Sequence, residues 1–292
     1  MKKYLKITIV LLVVLTIYSI IVFAISKKEN EKTPTDNPPT QIPSNPTPEK
    51  PKEESKEDIV RKNPDYNIII YPNNIVSYKN GIWAENKGLN TTNLLFDVYV
   101  NNNPLGQKYL TYNDKWNLYE NNNGMKNFIN YEGELLAVNT NKPYNLFNYT
   151  NTELNDNDKN IISSYLTENG ITYNYEDLTK SKVIYDVNRD GMRDEIYFIS
   201  NAFTELEDVY NKSFSIGFVK YYNEIEDIFY SVEDFSYNLL MCNSYLQNII
   251  ELDGKLYFIV GCTYFSNQGT QHIIYESTSN GINQVLKTST NN

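Results

Sequence analysis

Apolar and polar positions divide the chain into three unequal stretches. Ile7 to Ile25 is almost wholly apolar, interrupted only by Thr8, Thr16, Tyr18 and Ser19. At about 1.5 Å per residue, a helix of that length crosses the hydrocarbon core of a bilayer. Residues 26 to 64 are the reverse: Pro, Lys, Glu, Thr and Asn dominate, with prolines at 34, 38, 39, 43, 46, 48, 51 and 64. Such a segment cannot bury enough apolar surface to fold. It is expected to be a disordered tether that reaches on the order of 100 Å in the polyproline conformation.

From residue 65 onward, short β-branched and aromatic runs alternate with Asn- and Gly-rich turns, which predicts antiparallel strands joined as meanders and hairpins. Strands are expected at Asn67–Tyr71, Leu94–Val100, Lys108–Tyr112, Trp116–Tyr119, Glu134–Val138, Lys182–Tyr185, Glu195–Ser200, Ser213–Tyr222, Asp227–Val232, Gln247–Leu252, Lys255–Phe265 and Gln271–Glu276. Lys79-Asn80-Gly81, Asn121 to Gly124 and Asn267 to Gly269 mark turns. One amphipathic helix stands out: Asn155 and Asp156 can cap it, Ile161, Ile162, Tyr165 and Leu166 form its apolar stripe, and Gly170 ends it. Val232–Leu246 is the other stretch whose aromatic spacing admits a helix. The expected fold is mainly β with one clear helix and an N-terminal transmembrane helix. A soft boundary near residue 150 separates a β-rich subdomain (65–150) from a helix-plus-β subdomain (151–292).

Charge orients this plan. Lys2, Lys3 and Lys6 precede the span, while Lys27, Lys28 and Lys32 follow it, so the positive-inside count is nearly a tie. The short tail 1–6 and the proline-rich stalk favour a cytoplasmic N-terminus and an extracytoplasmic C-terminal domain. Ala24-Ile25-Ser26 is a weak cleavage site, and an uncleaved single-pass anchor is the better reading. The net charge of −10 disfavours nucleic acid and anionic lipid and favours divalent cations. Abundant Asn, Lys, Ile and Tyr read as an AT-rich bacterial genome.

The stretch with definable chemistry is Asp186-Val-Asn-Arg-Asp-Gly-Met-Arg-Asp-Glu195. Oxygen-bearing side chains recur at Asp186, Asn188, Asp190 and Asp194, and Gly191 permits a sharp turn, a spacing that suits one Ca²⁺. An EF-hand is excluded, because its twelfth position would be Tyr197 and both flanks read as strands. The segment resembles the calcium-loop hairpin of FG-GAP and VCBS-type repeats over about twenty residues. The resemblance implies side-chain ligands at Asp186, Asn188, Asp190 and Asp194, a backbone ligand at Met192, and a structural calcium ion. Glu195 would add charge without coordinating, and the alternative is a metal-free acidic turn. Ile249 to Gly261 repeats the strand–turn–strand logic around Asp253-Gly254, with the ligands lost.

Cys242 and Cys262 are an even pair in an oxidising compartment. With Asp253-Gly254 as a two-residue turn, Cys262 faces Tyr245 and Cys242 faces Phe265. That puts the thiols three positions out of register and on opposite faces. Two buried free cysteines are the expectation, unless a bulge corrects the register. His272 is the sole histidine and lacks a catalytic partner in sequence. The 26 tyrosines read mainly as strand packing, with an exposed aromatic surface including Trp83 and Trp116 as the sharper alternative. These features predict a bacterial cell-surface protein that binds wall glycan or another surface protein, or organises the envelope. The alternative is a glycan hydrolase using a carboxylate pair.

Overall fold

The computed structural model describes residues 65–289 apart from 73, 92–93, 113–117, 123–124, 129–132, 203–211, 223, 235–241, 265–268 and 280. The apolar span, the tether and Trp116 lie outside the described residues, among which no helix is long and apolar enough to cross a membrane. Antiparallel β-structure dominates, as the alternation predicts. An eight-stranded sheet comprises β1 (Tyr66–Ile70), β2 (Asn74–Lys79), β3 (Ile82–Glu85), β4 (Leu95–Val100), β5 (Asn103–Tyr112), β6 (Leu118–Asn122), β7 (Met125–Phe128) and β8 (Leu135–Asn139), in the order β3-β2-β1-β8-β4-β5-β6-β7. A second sheet runs β10 (Asn151–Thr152), β11 (Thr179–Tyr185), β12 (Asp194–Ser200), β13 (Lys212–Lys220) and β14 (Ile225–Asp234) in chain order. The third is ordered β18-β17-β16-β15-β9, from β9 (Tyr144–Phe147), β15 (Cys242–Leu252), β16 (Lys255–Tyr264), β17 (Thr270–Thr278) and β18 (Gly281–Lys287).

The third sheet is central, which explains why β15 and β16 are apolar on both faces. Ile250, Leu252, Tyr257, Ile259 and Ile274 pack against Ile68, Ile70, Tyr78 and Leu136 of the eight-stranded sheet. The alternate residues Ile249, Phe258, Val260 and Ile273 pack against Val183, Ile196, Phe198 and Val219 of the second sheet. Trp83 belongs to the first of these cores, its ring beside Tyr78 and Tyr257, so it is a packing residue and not part of an exposed aromatic surface.

The far face of the second sheet is covered by α1 (Asp156–Glu168), which buries Ile162, Tyr165 and Leu166 against Tyr197, Ile199, Phe214 and Phe218. A reciprocal capping box starts it: Asn155 Oδ1 accepts from the Asn157 and Asp158 N–H groups, and Asp158 Oδ2 accepts from the Asn155 N–H. The Ile171 N–H bonding Leu166 O closes the other end.

Two expectations are corrected. Val232–Leu246 is not helical where it is described, since Val232–Asp234 ends β14 and Cys242–Leu246 begins β15. Cys242 and Cys262 form a disulfide with a Cα–Cα distance of 5.3 Å. Asp253-Gly254 makes the expected two-residue turn, but a bulge at Gln247 shifts the pairing so that Cys262 faces Ser244 and Cys242 faces Tyr264. The cysteines then stand two positions apart on one face. The extra residue of the bulge changes the parity that had placed them on opposite faces.

Candidate functional site

The 186–194 loop joins β11 to β12, with Tyr185 paired to Asp194 at its base, so its flanks are strands. Its own side chains wind it. Asp186 accepts from the Asp190 N–H at 3.1 Å and the Gly191 N–H at 3.0 Å. Asn188 Oδ1 accepts from the Asp190 N–H, Asp190 Oδ1 from the Met192 N–H at 2.7 Å, and Asp190 Oδ2 from the Asn188 amide. The bonds that Asn188 and Asp190 accept from the N–H two residues on are Asx turns, in which a short side chain takes the place of a backbone carbonyl, while Asp186 spans the whole loop from its start. Gly191 at φ 88° supplies a left-handed step.

Asp194 lies deeper, buried on the first residue of β12, with Oδ2 accepting the Val187 N–H at 2.9 Å. Burial raises its pKa, and the nearby Asp190 and Asp186 charges raise it further. Val187 anchors the loop in the core between the second and third sheets, and its carbonyl accepts from Ser277. Around Val187 the loop is half-buried at Asp186 and Asn188 and exposed from Arg189 to Arg193.

Asp186, Asn188 and Asp190 are brought together by direct hydrogen bonds, while Asp194 sits at the base and Met192 is exposed at the tip. The donor set fits a hard cation: every side-chain donor is oxygen, and a carboxylate oxygen that accepts one N–H keeps a second lone pair. The carboxylates are spread along the loop, and among the described residues no three His, Cys, Asp or Glu side chains form a metal-holding group.

Neighbouring charges are drawn away from the loop. Arg189 reaches across to Glu251 and to Gly254 O, so its cation sits on the β15–β16 hairpin. Glu195 turns to the opposite side, where Lys182 contacts it at 2.5 Å and Lys220 at 3.1 Å. Lys182 also meets Asp158 of α1 at 2.6 Å, and Tyr197 donates to the same Asp158 oxygen at 2.7 Å. Burial opposes both charges, yet these bonds hold Asp158 below and Lys182 above their ordinary ranges. The helix start, β11 and β12 are thereby joined at the root of the loop.

Sequence spacing did not reveal a cleft of about 430 Å³ beside the loop. Asn188, Asp190 and Met192 form one wall, and Tyr221, Tyr222, Glu224, Glu226, Ser279 and Gly281 form the rest. Among the described residues, three carboxylates and no basic side chain line it. Glu226 is committed to the fold, accepting from the Ile282 N–H and the Tyr221 hydroxyl, each at 2.9 Å. A Cβ at Gly281, where φ is 114°, would collide with that carboxylate. Tyr222 at the rim is 81% exposed. Its lining comes from three parts of the chain, around Asp190, Tyr222 and Gly281, which only the folded sheets bring together.

No protein-family model, curated protein or solved structure matches the chain.

Proposed function

We propose that the chain is a single-pass, membrane-anchored extracytoplasmic binding protein whose β-domain carries a structural calcium ion in the 186–194 loop. Calcium would be held by the side chains of Asp186, Asn188, Asp190 and Asp194 and the Met192 carbonyl, and it supplies charge neutralisation and loop stiffness. The observation that carries this reading is the loop itself: oxygen-bearing side chains that wind it by their own bonds to its backbone between two strands, with Arg189 and Glu195 both engaged elsewhere. The resemblance to FG-GAP and VCBS-type loops points the same way. Membrane attachment rests on the apolar run 7–25 and the proline-rich segment after it. The adjoining cleft is the natural binding face. Its acidic walls and exposed Tyr222 suit a ligand offering hydroxyl or cationic groups, such as a wall glycan or a surface protein.

Thermal melts of the purified chain with calcium and with chelator test the ion. At free calcium one hundred times the dissociation constant, one site adds about 2.7 kcal/mol. Asp190→Ala is expected to abolish that increment. Asp253→Ala serves as the control, because Asp253 accepts from Tyr66 in a turn at φ 50°. It lowers the melting point equally in both media and leaves the increment intact. Identical wild-type melts in calcium and chelator would reduce the loop to a turn.

A further inference from the structure

We propose that Glu134 is a proton-operated latch between the eight-stranded and central sheets, closed when its carboxyl is neutral and loosened when it ionises. Glu134 precedes β8, and its backbone is locked to the β4–β5 turn: its N–H donates to Asn101 Oδ1 at 2.9 Å, and its carbonyl accepts from the Asn101 N–H at 2.8 Å. Its side chain meets Tyr149, just beyond β9. The Tyr149 hydroxyl lies 3.1 Å from Glu134 Oε2, 2.6 Å from Leu246 O and 2.9 Å from Gln247 O. Leu246 and Gln247 are the bulge of β15. One hydroxyl therefore faces three acceptor oxygens with a single hydrogen.

Donors are scarce throughout this seam. The Gln247 amide nitrogen is spent on Tyr71 O and that of Asn248 on Asn102 Oδ1. The buried amide oxygens of both residues have no partner among the described residues. A proton on Glu134 adds the missing donor. Glu134 then donates to the Tyr149 oxygen, and Tyr149 donates onward to a bulge carbonyl. When Glu134 ionises, the Tyr149 hydrogen turns back to the carboxylate, and the link to β15 is lost.

The charge would also be half-buried, with no counter-ion among the described residues. Among the described residues, the titratable side chains facing Glu134 are Tyr149 and Tyr245, both raised chiefly by burial and further by Glu134 itself, and no cationic group contributes. Burial pushes the Glu134 carboxyl up to about 7, against the lowering effect of Tyr149, from an ordinary value of 4.5. The sign follows from linkage. A folded value above the unfolded one means stabilisation that is complete below 4.5 and lost as pH rises through 7. Each pH unit between the two values costs the closed seam a factor of about ten. None of these residues belongs to the 186–194 loop or the cleft.

Amide hydrogen exchange of the full-length chain between pH 5 and 7.5 tests this, read as protection factors so that intrinsic base catalysis is removed. Protection of the 246–248 amides is expected to fall roughly tenfold or more in the wild type, and to stay level in Glu134→Gln, which keeps shape and hydrogen bonding without a titratable group. Should that variant not fold, Glu134→Met takes its place: it lacks the donor, so the seam exchanges faster at every pH, again without a slope. A level wild-type profile would overturn the latch, and so would a wild-type slope retained in a non-titrating variant.

Discussion

Lys182 shows how much one side chain can join. It extends from β11 into a space enclosed by α1 and β12 and is 4% exposed there, with Asp158 on one side and Glu195 on the other. Asp158 already serves as the third residue of the helix capping box, so a single carboxylate starts the helix and neutralises the lysine. Removing one member of a buried ion pair leaves the others charged and desolvated, at a cost of roughly 3–5 kcal/mol. Lys182→Met is expected to destabilise the fold by that amount in reversible urea denaturation. Lys220→Met, whose side chain is 32% exposed, should cost far less. Equal losses would mean that the buried contact has no special weight. The network was invisible in the sequence because Asp158, Lys182 and Glu195 read as ordinary solvated charges until three elements close around them. His272 is a parallel case. Its ring is fully buried against Asn74, and burial drops its pKa to about 3, so it remains neutral and structural.

At the scale of elements, β15 carries the features that pattern reading could not reach. Its turn to β16 was legible, because Asp253-Gly254 is the residue pair that accepts two consecutive left-handed steps, φ 50° and 78°. The bulge at Gln247 was not, because no local residue preference requires it there. That one extra residue brings Cys242 and Cys262 to the same face and places the Leu246 and Gln247 carbonyls before Tyr149. A disulfide closing a loop of this size, with a sequence separation of 20, contributes about 3 kcal/mol by restricting the unfolded chain. The double variant Cys242→Ala/Cys262→Ala is expected to lose that amount in urea denaturation. Adding reductant should bring the wild type toward it and leave the variant unchanged. A wild type insensitive to full reduction would contradict this contribution. Of the strands absent from the sequence reading, β9, β10 and β18 have no buried residue and become strands by pairing with a longer neighbour, whereas β2 is mostly buried.

At the scale of the whole molecule, the proposed anchor and tether make the topology testable. On the proposed extracytoplasmic placement, protease added to intact cells or protoplasts should trim the chain within residues 26–64 and release the domain. Protection until the cells are lysed would reverse the proposed orientation.

Local chemistry was legible from sequence alone: the dominance of antiparallel strands, the capped helix ending at Gly170, the Asp253-Gly254 hairpin, and the oxygen-rich loop from Asp186 to Asp194. Each is written within a few residues, because capping bonds, Asx turns and positive-φ steps are satisfied by near neighbours. The tertiary structure alone decided which sheet lies in the centre, how the cysteines meet, where Arg189 and Glu195 direct their charge, and that Tyr222 and Glu224 share a cleft with Asp190. It also decided that Glu134 is half-buried beside Tyr149. These outcomes depend on partners far apart in the chain, such as Tyr149 with Leu246 or Lys182 with Asp158, and on a register that one bulged residue can invert.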